Sequence, residues 1–334
     1  MVEWRPIALQ GDVPPQVSGC KTVSNEDHFY FFGGNGDGFE YFDTMYKCQP
    51  DTGMFEKVEC SDVKPVARNG HTMVLVDNII YVVCGYSGKK YLNDIWAFNL
   101  GTRQWSCVSD GEIKPRFMHT CVAWHNHLYV FGGMDFEHTL SDGAIFSLAT
   151  KTWRDMESPA MLQRCNHATA VHHGWMYVFA GYRGGDVVLR DLWKMNMETE
   201  KWEEVGLTGA PCYRSGHSAV VHNDRMYIFA GFNGENLDDM HCIDLGANSG
   251  SDDGNDGKGK VILKGYRIET EGAGPMPRCY HAVWMHGSRM YIFGGITKRQ
   301  RHNDMWSVDL ATVPLMLKEP AVAPRRWKPI QAKG

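Results

Sequence analysis

Short apolar runs recur along the chain at a nearly fixed interval, and each ends in a small residue followed by glycine. The runs are Tyr30–Phe32, Tyr81–Val83, Tyr129–Phe131, Tyr177–Phe179, Tyr227–Phe229 and Tyr291–Phe293. The pairs that follow are Gly33-Gly34, Cys84-Gly85, Gly132-Gly133, Ala180-Gly181, Ala230-Gly231 and Gly294-Gly295, with second glycines 51, 48, 48, 50 and 64 residues apart. Each run is preceded by an alternating segment such as His71–Val76, with a two-residue turn, Asp77-Asn78, between the two. Alternation of period two bounded by turn residues predicts β-strands. A third strand is predicted at Asn93–Phe98 and a fourth at Trp105–Val108, with counterparts in the other units. A unit of about fifty residues cannot bury its own apolar faces, so neighbouring units must stack on one another.

Four short antiparallel strands repeated six times predict an all-β fold, a six-bladed β-propeller of four-stranded antiparallel blades, in which radial packing leaves few exposed sheet edges. Trp4–Leu9 matches the fourth-strand pattern of Trp202–Val205, so the N-terminal strand is expected to complete blade six. A rival segment, Ala311–Leu315, aligns with Ala149–Trp153 and places Leu315 in the tryptophan slot. Residues 1–320 are read as a single closed ring and residues 321–334 as a C-terminal tail. Gly246–Lys260 breaks the period with a Gly/Asp/Ser/Asn run, a composition that cannot bury enough surface to order itself, and is read as a disordered insertion in blade five.

Polar positions recur as well. Arginine and then histidine three residues later precede the alternating segment as Arg68/His71, Arg116/His119, Arg164/His167, Arg214/His217 and Arg278/His281, while unit one carries Val17 and Cys20. An aspartate follows the glycines at Asp43, Asp94, Asp142, Asp191, Asp239 and Asp304, and an aromatic opens the fourth strand at Phe55, Trp105, Trp153, Trp202 and Tyr266. Glycines, aspartate and tryptophan in this register resemble the kelch repeat over nearly the whole chain. The chain contains no Trp-Asp dipeptide, which disfavours the WD repeat.

Composition narrows the function classes. A net charge of −5 gives no global attraction to nucleic acid, and no segment has the apolar length of a membrane span. The opening Met1–Arg5 does not read as a signal peptide. Ten cysteines lack any Cys-x-x-Cys spacing, and no Asn-x-Ser/Thr sequon is present, as expected of a cytoplasmic protein, with the nucleus as a second reducing compartment.

The resemblance implies a non-enzymatic protein–protein interaction module or adaptor that needs no cofactor. In the kelch propellers of ubiquitin-ligase adaptors, arginines at the repeated position line the substrate pocket. Carried over by position, Arg68, Arg116, Arg164, Arg214 and Arg278 would face such a pocket, and pairing with the blade aspartates is the alternative. The loops after the glycine pairs differ from blade to blade and share that face. They offer Tyr86, Tyr182 and Phe232 as anchors with Arg183, Lys298, Arg299 and Arg301 as cations, residue types suited to an acidic protein segment.

The competing reading is a kelch-type enzyme or metal-binding protein using axial histidines. Five histidines enter the inner strands, where packing or backbone pairing accounts for them, and others fall at the first turn of each blade (His125, His172 or His173, His222 and His286). No residue set matches the copper site of galactose-oxidase-like proteins. The Glu-x-x-x-Asp-x-x-x-His ladder of plant specifier proteins begins at Glu235 and Asp239 but meets Ile243 at its third rung. Neither catalytic residues nor metal ligands are assigned.

Overall fold

The computed structural model describes residues 2–209, 211–246, 261–298 and 300–314, which contain strands and short 3-10 turns but no α-helix. The strands form six antiparallel four-stranded blades. Blade two illustrates the plan: Thr72–Val76 is innermost, followed outward by Ile79–Tyr86, Tyr91–Asn99 and Gln104–Ser109. The six blades are distributed over five large sheets. Blades four and five merge into one eight-stranded sheet because Gly206–Thr208 pairs in parallel with Ile262–Lys264 at the rim.

The inner strands Lys21–Ser24, Thr72–Val76, Thr120–Trp124, Ala168–His172, Ser218–His222 and Ala282–His286 touch one another in sequence, and the last touches the first. A ring of six therefore closes around a central channel. Val2–Ile7 is the outermost strand of blade six, antiparallel to Met305–Asp309 with Trp4 opposite Val308. The rival segment does not extend a sheet over its described part, since Leu310–Thr312 is a 3-10 turn; Leu315, the 321–334 tail and residues 247–260 of the insertion lie outside the described residues.

Each fourth-strand aromatic has a structural task. Trp105 packs on Phe32 of the preceding blade at 5.4 Å between ring centroids, Trp202 on Phe131 at 4.9 Å and Phe55 on Phe293 at 5.5 Å. Trp4 repeats the contact on Phe229 of blade five at 4.8 Å, so the closing strand carries the same wedge as its counterparts. These rings, with the Tyr-x-Phe runs of the second strands, fill the seams between blades.

The second glycine of each pair is a link between blades. Its N–H donates to the carbonyl of the next blade's arginine: Gly34 to Arg68, Gly85 to Arg116, Gly133 to Arg164, Gly181 to Arg214 and Gly231 to Arg278, at 2.8–3.0 Å. Gly295 closes the circle on Val17 at 2.9 Å. All six adopt φ between 92° and 111°, and a Cβ at Gly181 would stand 2.7 Å from the Cys165 carbonyl, so no larger residue fits.

Candidate functional site

The arginines that were candidates for partner contact are interior. Arg68, Arg116, Arg164, Arg214 and Arg278 are at most 1% exposed. Each guanidinium is hydrogen-bonded through all three of its nitrogens. In Arg164, Nε donates to the Leu162 carbonyl at 3.0 Å, Nη1 to the Ala180 carbonyl at 3.0 Å, and Nη1 and Nη2 clasp both carboxylate oxygens of Asp191 at 3.0 and 2.8 Å. Arg68 holds Asp94, Arg116 Asp142, Arg214 Asp239 and Arg278 Asp304 in the same way. The expectation that these five face a partner is therefore corrected. The planar fork matches a carboxylate and the carbonyl of the small residue before each glycine, and burial keeps it from a ligand. In blade one, where Val17 replaces the arginine, Lys64 takes Asp43 at 3.1 Å.

Burial alone would raise the paired carboxyls, yet the arginine hydrogen bonds and charge, joined and led at Asp239 by the hydrogen bond from His241, outweigh it and hold Asp191, Asp239 and Asp304 below the ordinary aspartate value. Asp239, a rung of the partial specifier ladder, is committed to Arg214 and to His241 Nε2 at 2.9 Å.

The inner-strand histidines are also structural. His119 Nε2 bonds Thr72 Oγ1 of the preceding blade at 2.9 Å, His167 bonds Thr120 at 2.8 Å and His281 bonds Ser218 at 2.8 Å. Burial, followed by the charge of each unit's own arginine, drives the pKa of His71, His119, His167, His217 and His281 down, the last to about 3. Of the turn histidines, His125 packs on Trp124, whereas His172 and His173 meet Asp224 of the neighbouring blade.

At the loop end, the residue before each histidine builds a second closed circle. Gly19, Gly70, Met118, Asn166, Gly216 and Tyr280 all have left-handed φ between 53° and 68°. Gly70 N–H donates to the Gly19 carbonyl, Met118 to Gly70, Asn166 to Met118, Gly216 to Asn166, Tyr280 to Gly216 and Gly19 to Tyr280, at 2.7–3.2 Å. Six backbone hydrogen bonds thus fix the rim of the channel mouth.

A cavity of about 210 Å³ opens at this mouth, and every blade contributes to its wall. Its cationic groups are Lys21 and Arg301, its neutral polar groups include Ser18, Asn35, Asn69 and Asn166, and Met118, Tyr280 and Ile296 supply apolar surface. No carboxylate side chain lines it. Lys21 is half-buried, makes no salt bridge among the described residues, and has its pKa lowered by burial. Arg301 is held by Asp37 at 2.8 Å through Nη1 and by Ser18 Oγ at 3.1 Å through Nε.

Of the loop candidates only Arg301 lines this cavity, and the other described ones lie outside its wall. Tyr182 and Phe232 are half-buried and bridge to Cys165 and Ser215 through their backbones, Arg183 donates to the Met161 carbonyl at 2.9 Å, and Lys298 is exposed. Arg299 lies outside the described residues. Tyr86 belongs to a larger aromatic group with Tyr41, Tyr91, Phe117 and Phe136 at centroid spacings of 4.9–6.3 Å, and Phe136 is 82% exposed.

Sequence reasoning missed Lys21, Tyr41, Tyr91 and Phe117. Lys21 had a signal: the position after the histidine slot reads Thr72, Thr120, Ala168, Ser218 and Ala282 in the other blades, so a lysine among small residues marks a departure.

Comparisons with known proteins agree with this architecture. Segments of the chain are similar to tRNA wybutosine-synthesizing protein 2/3/4 of rice, 37% identical over 90 residues (26% of this chain and 8% of that protein). They are also similar to human Kelch domain-containing protein 10, 27% identical over 111 residues (31% and 25%), and to Tip elongation aberrant protein 3 of fission yeast, 33% identical over 93 residues (26% and 8%). These matches span a quarter or less of each relative's own length. The KLHDC2/KLHL20/DRC7 kelch-repeats domain matches residues 1–159, 109–252 and 210–333, and kelch domains of this kind are generally protein-interaction modules. With its six glycine-linked blades, five of them carrying the arginine–aspartate clasp, the chain belongs to that kelch-repeat family.

Proposed function

We propose that this protein is a non-enzymatic adaptor that binds an acidic or carboxylate-bearing protein segment over the loop-face mouth of the channel. One observation carries the reading: the mouth cavity presents Lys21 and Arg301 and no lining carboxylate, although the whole chain is net negative. A half-buried lysine without an ion-pair partner has lost hydration that an incoming carboxylate would offset. The Tyr41–Phe136 aromatic group beside the mouth offers a second contact able to exclude water from the pair. Burial lowers the pKa of all five inner-strand histidines, and His119, His167 and His281 are bonded to hydroxyls of the neighbouring blade, which favours a binding role over an enzyme built on them. Ten free thiols, most of them buried, suit the reducing cytoplasm or nucleus.

Selection of a random peptide library on the purified chain tests the reading. Enrichment of peptides carrying Asp, Glu or a free terminal carboxylate is expected, with the enrichment lost in Lys21→Met. Selection without carboxylate enrichment, or equal enrichment by the variant, would contradict it.

A further inference from the structure

At the channel end opposite the loop face, the inner strand Ala168–His172 runs into its turn beside the equivalent turn of blade five. His173 there has φ 45° and Gly174 φ 77°, while Asn223 and Asp224 have φ 45° and 57°. Two left-handed residues in succession make a tight, rigid hairpin turn, so the flanking side chains are aimed by backbone geometry. Nε2 of His172 lies 3.0 Å and Nε2 of His173 3.3 Å from the same Oδ1 of Asp224, with the two imidazole centroids 4.0 Å apart.

Two features separate this group from an ordinary hydrogen-bonded pair. Nε2 of His172 is buried and lies 3.0 Å from the carboxylate oxygen without a hydrogen bond of regular geometry. The two nitrogen–oxygen spacings, with all three donor atoms within 4.8 Å of one another, also leave room for a coordinated ion. A tetrahedral ion with bonds of about 2.0–2.1 Å sets neighbouring donor atoms about 3.3 Å apart.

The group is peculiar to this seam. Where blade four has His172-His173, four other blades carry Val76-Asp77, Trp124-His125, His222-Asn223 and His286-Gly287, and where blade five has Asp224 the two-residue turns carry Asn78, Asn126, Gly174 and Ser288; blade one has a longer turn, Asn25–His28, that sets Glu26 and Asp27 beside a single histidine. No repeated structural need therefore accounts for two imidazoles meeting a carboxylate here.

We propose that His172, His173 and Asp224 form a binding site for a divalent transition-metal ion of the zinc class, held through the two Nε2 atoms and a carboxylate oxygen, with water as the fourth ligand. Imidazole with a single carboxylate suits zinc, nickel or copper rather than magnesium or calcium. A metal there ties the turn of blade four to that of blade five, on the face away from the mouth cavity, so this site stands or falls independently of the carboxylate-binding reading.

Titration of the full, chelator-stripped chain with zinc alone in a calorimeter, and with cobalt(II) in a spectrophotometer, tests the proposal. One tight site is expected, with the visible bands of tetrahedral cobalt and no thiolate-to-cobalt charge-transfer band. His173→Asn and Asp224→Asn, both at exposed side chains and both suited to the left-handed backbone there, should each weaken zinc at least about tenfold with little change in the metal-free melting temperature, since even outer-shell changes cost that much. Absence of binding, a thiolate band, or zinc affinity unchanged in the two variants would overturn it.

Discussion

At the scale of single residues, the strongest commitments are the five buried arginine–aspartate clasps. Asp239 is the sharpest case, since removing its carboxylate strands the fully buried Arg214 without a counter-charge. Asp239→Ala should lower folding stability by about 3–5 kcal/mol, read from denaturant midpoints. A change under about 1 kcal/mol would show the pair to be dispensable. The histidines add a pH dependence. Their folded pKa values lie below the unfolded value of about 6.5, so the unfolded chain takes up protons that the folded ring refuses. Their contribution is complete above that pH and is lost as pH falls below it, at roughly 1.4 kcal/mol per pH unit for each histidine. The depressed carboxyls of Asp191, Asp239 and Asp304 extend the loss below pH of about 3.9. Melting temperature should therefore fall steadily from neutral pH toward about pH 5; a flat profile would mean that the imidazoles charge freely in the fold.

At the scale of strands and blades, the closing strand matters most. Val2 and Trp4 are buried, and Trp4 joins blade six to Phe229 of blade five. Deleting residues 1–9 removes that wedge and bares the edge of Met305–Asp309. A large loss of melting temperature and a tendency to associate are expected, with Trp4→Ala alone costing about 3–5 kcal/mol. An unchanged melt would mean that another segment closes the ring. Six blades were legible from the sequence because a glycine pair, an aspartate and an aromatic recur at each blade's fixed points of contact. The fate of the arginines was not legible, since lining a pocket and clasping the aspartate of the same blade demand the same residue at the same spacing; only burial separates them. Lys21 escaped notice for the opposite reason, being a single departure inside a slot read for its periodicity. The aromatic group from Tyr41 to Phe136 is assembled from three blades, a proximity that spacing along one chain does not encode.

At the scale of the whole molecule, two backbone hydrogen-bond circles, one through the second glycines and one through the residues before the histidines, hold the loop end rigid. A fixed rim presents Lys21 and Arg301 with little ordering cost on binding, a condition for affinity from a small contact. The central claim is that a carboxylate ligand meets Lys21 at this mouth. It is tested most directly by the Kd of one library-selected acidic peptide, and of its fully amidated analogue, for the wild-type chain and for a folded Lys21→Met variant. Removal of one member of a desolvated charge pair costs about 2–5 kcal/mol, so the account predicts at least about a thirtyfold loss for either change and little further loss when both are combined. Equal Kd values for wild type and Lys21→Met would contradict it.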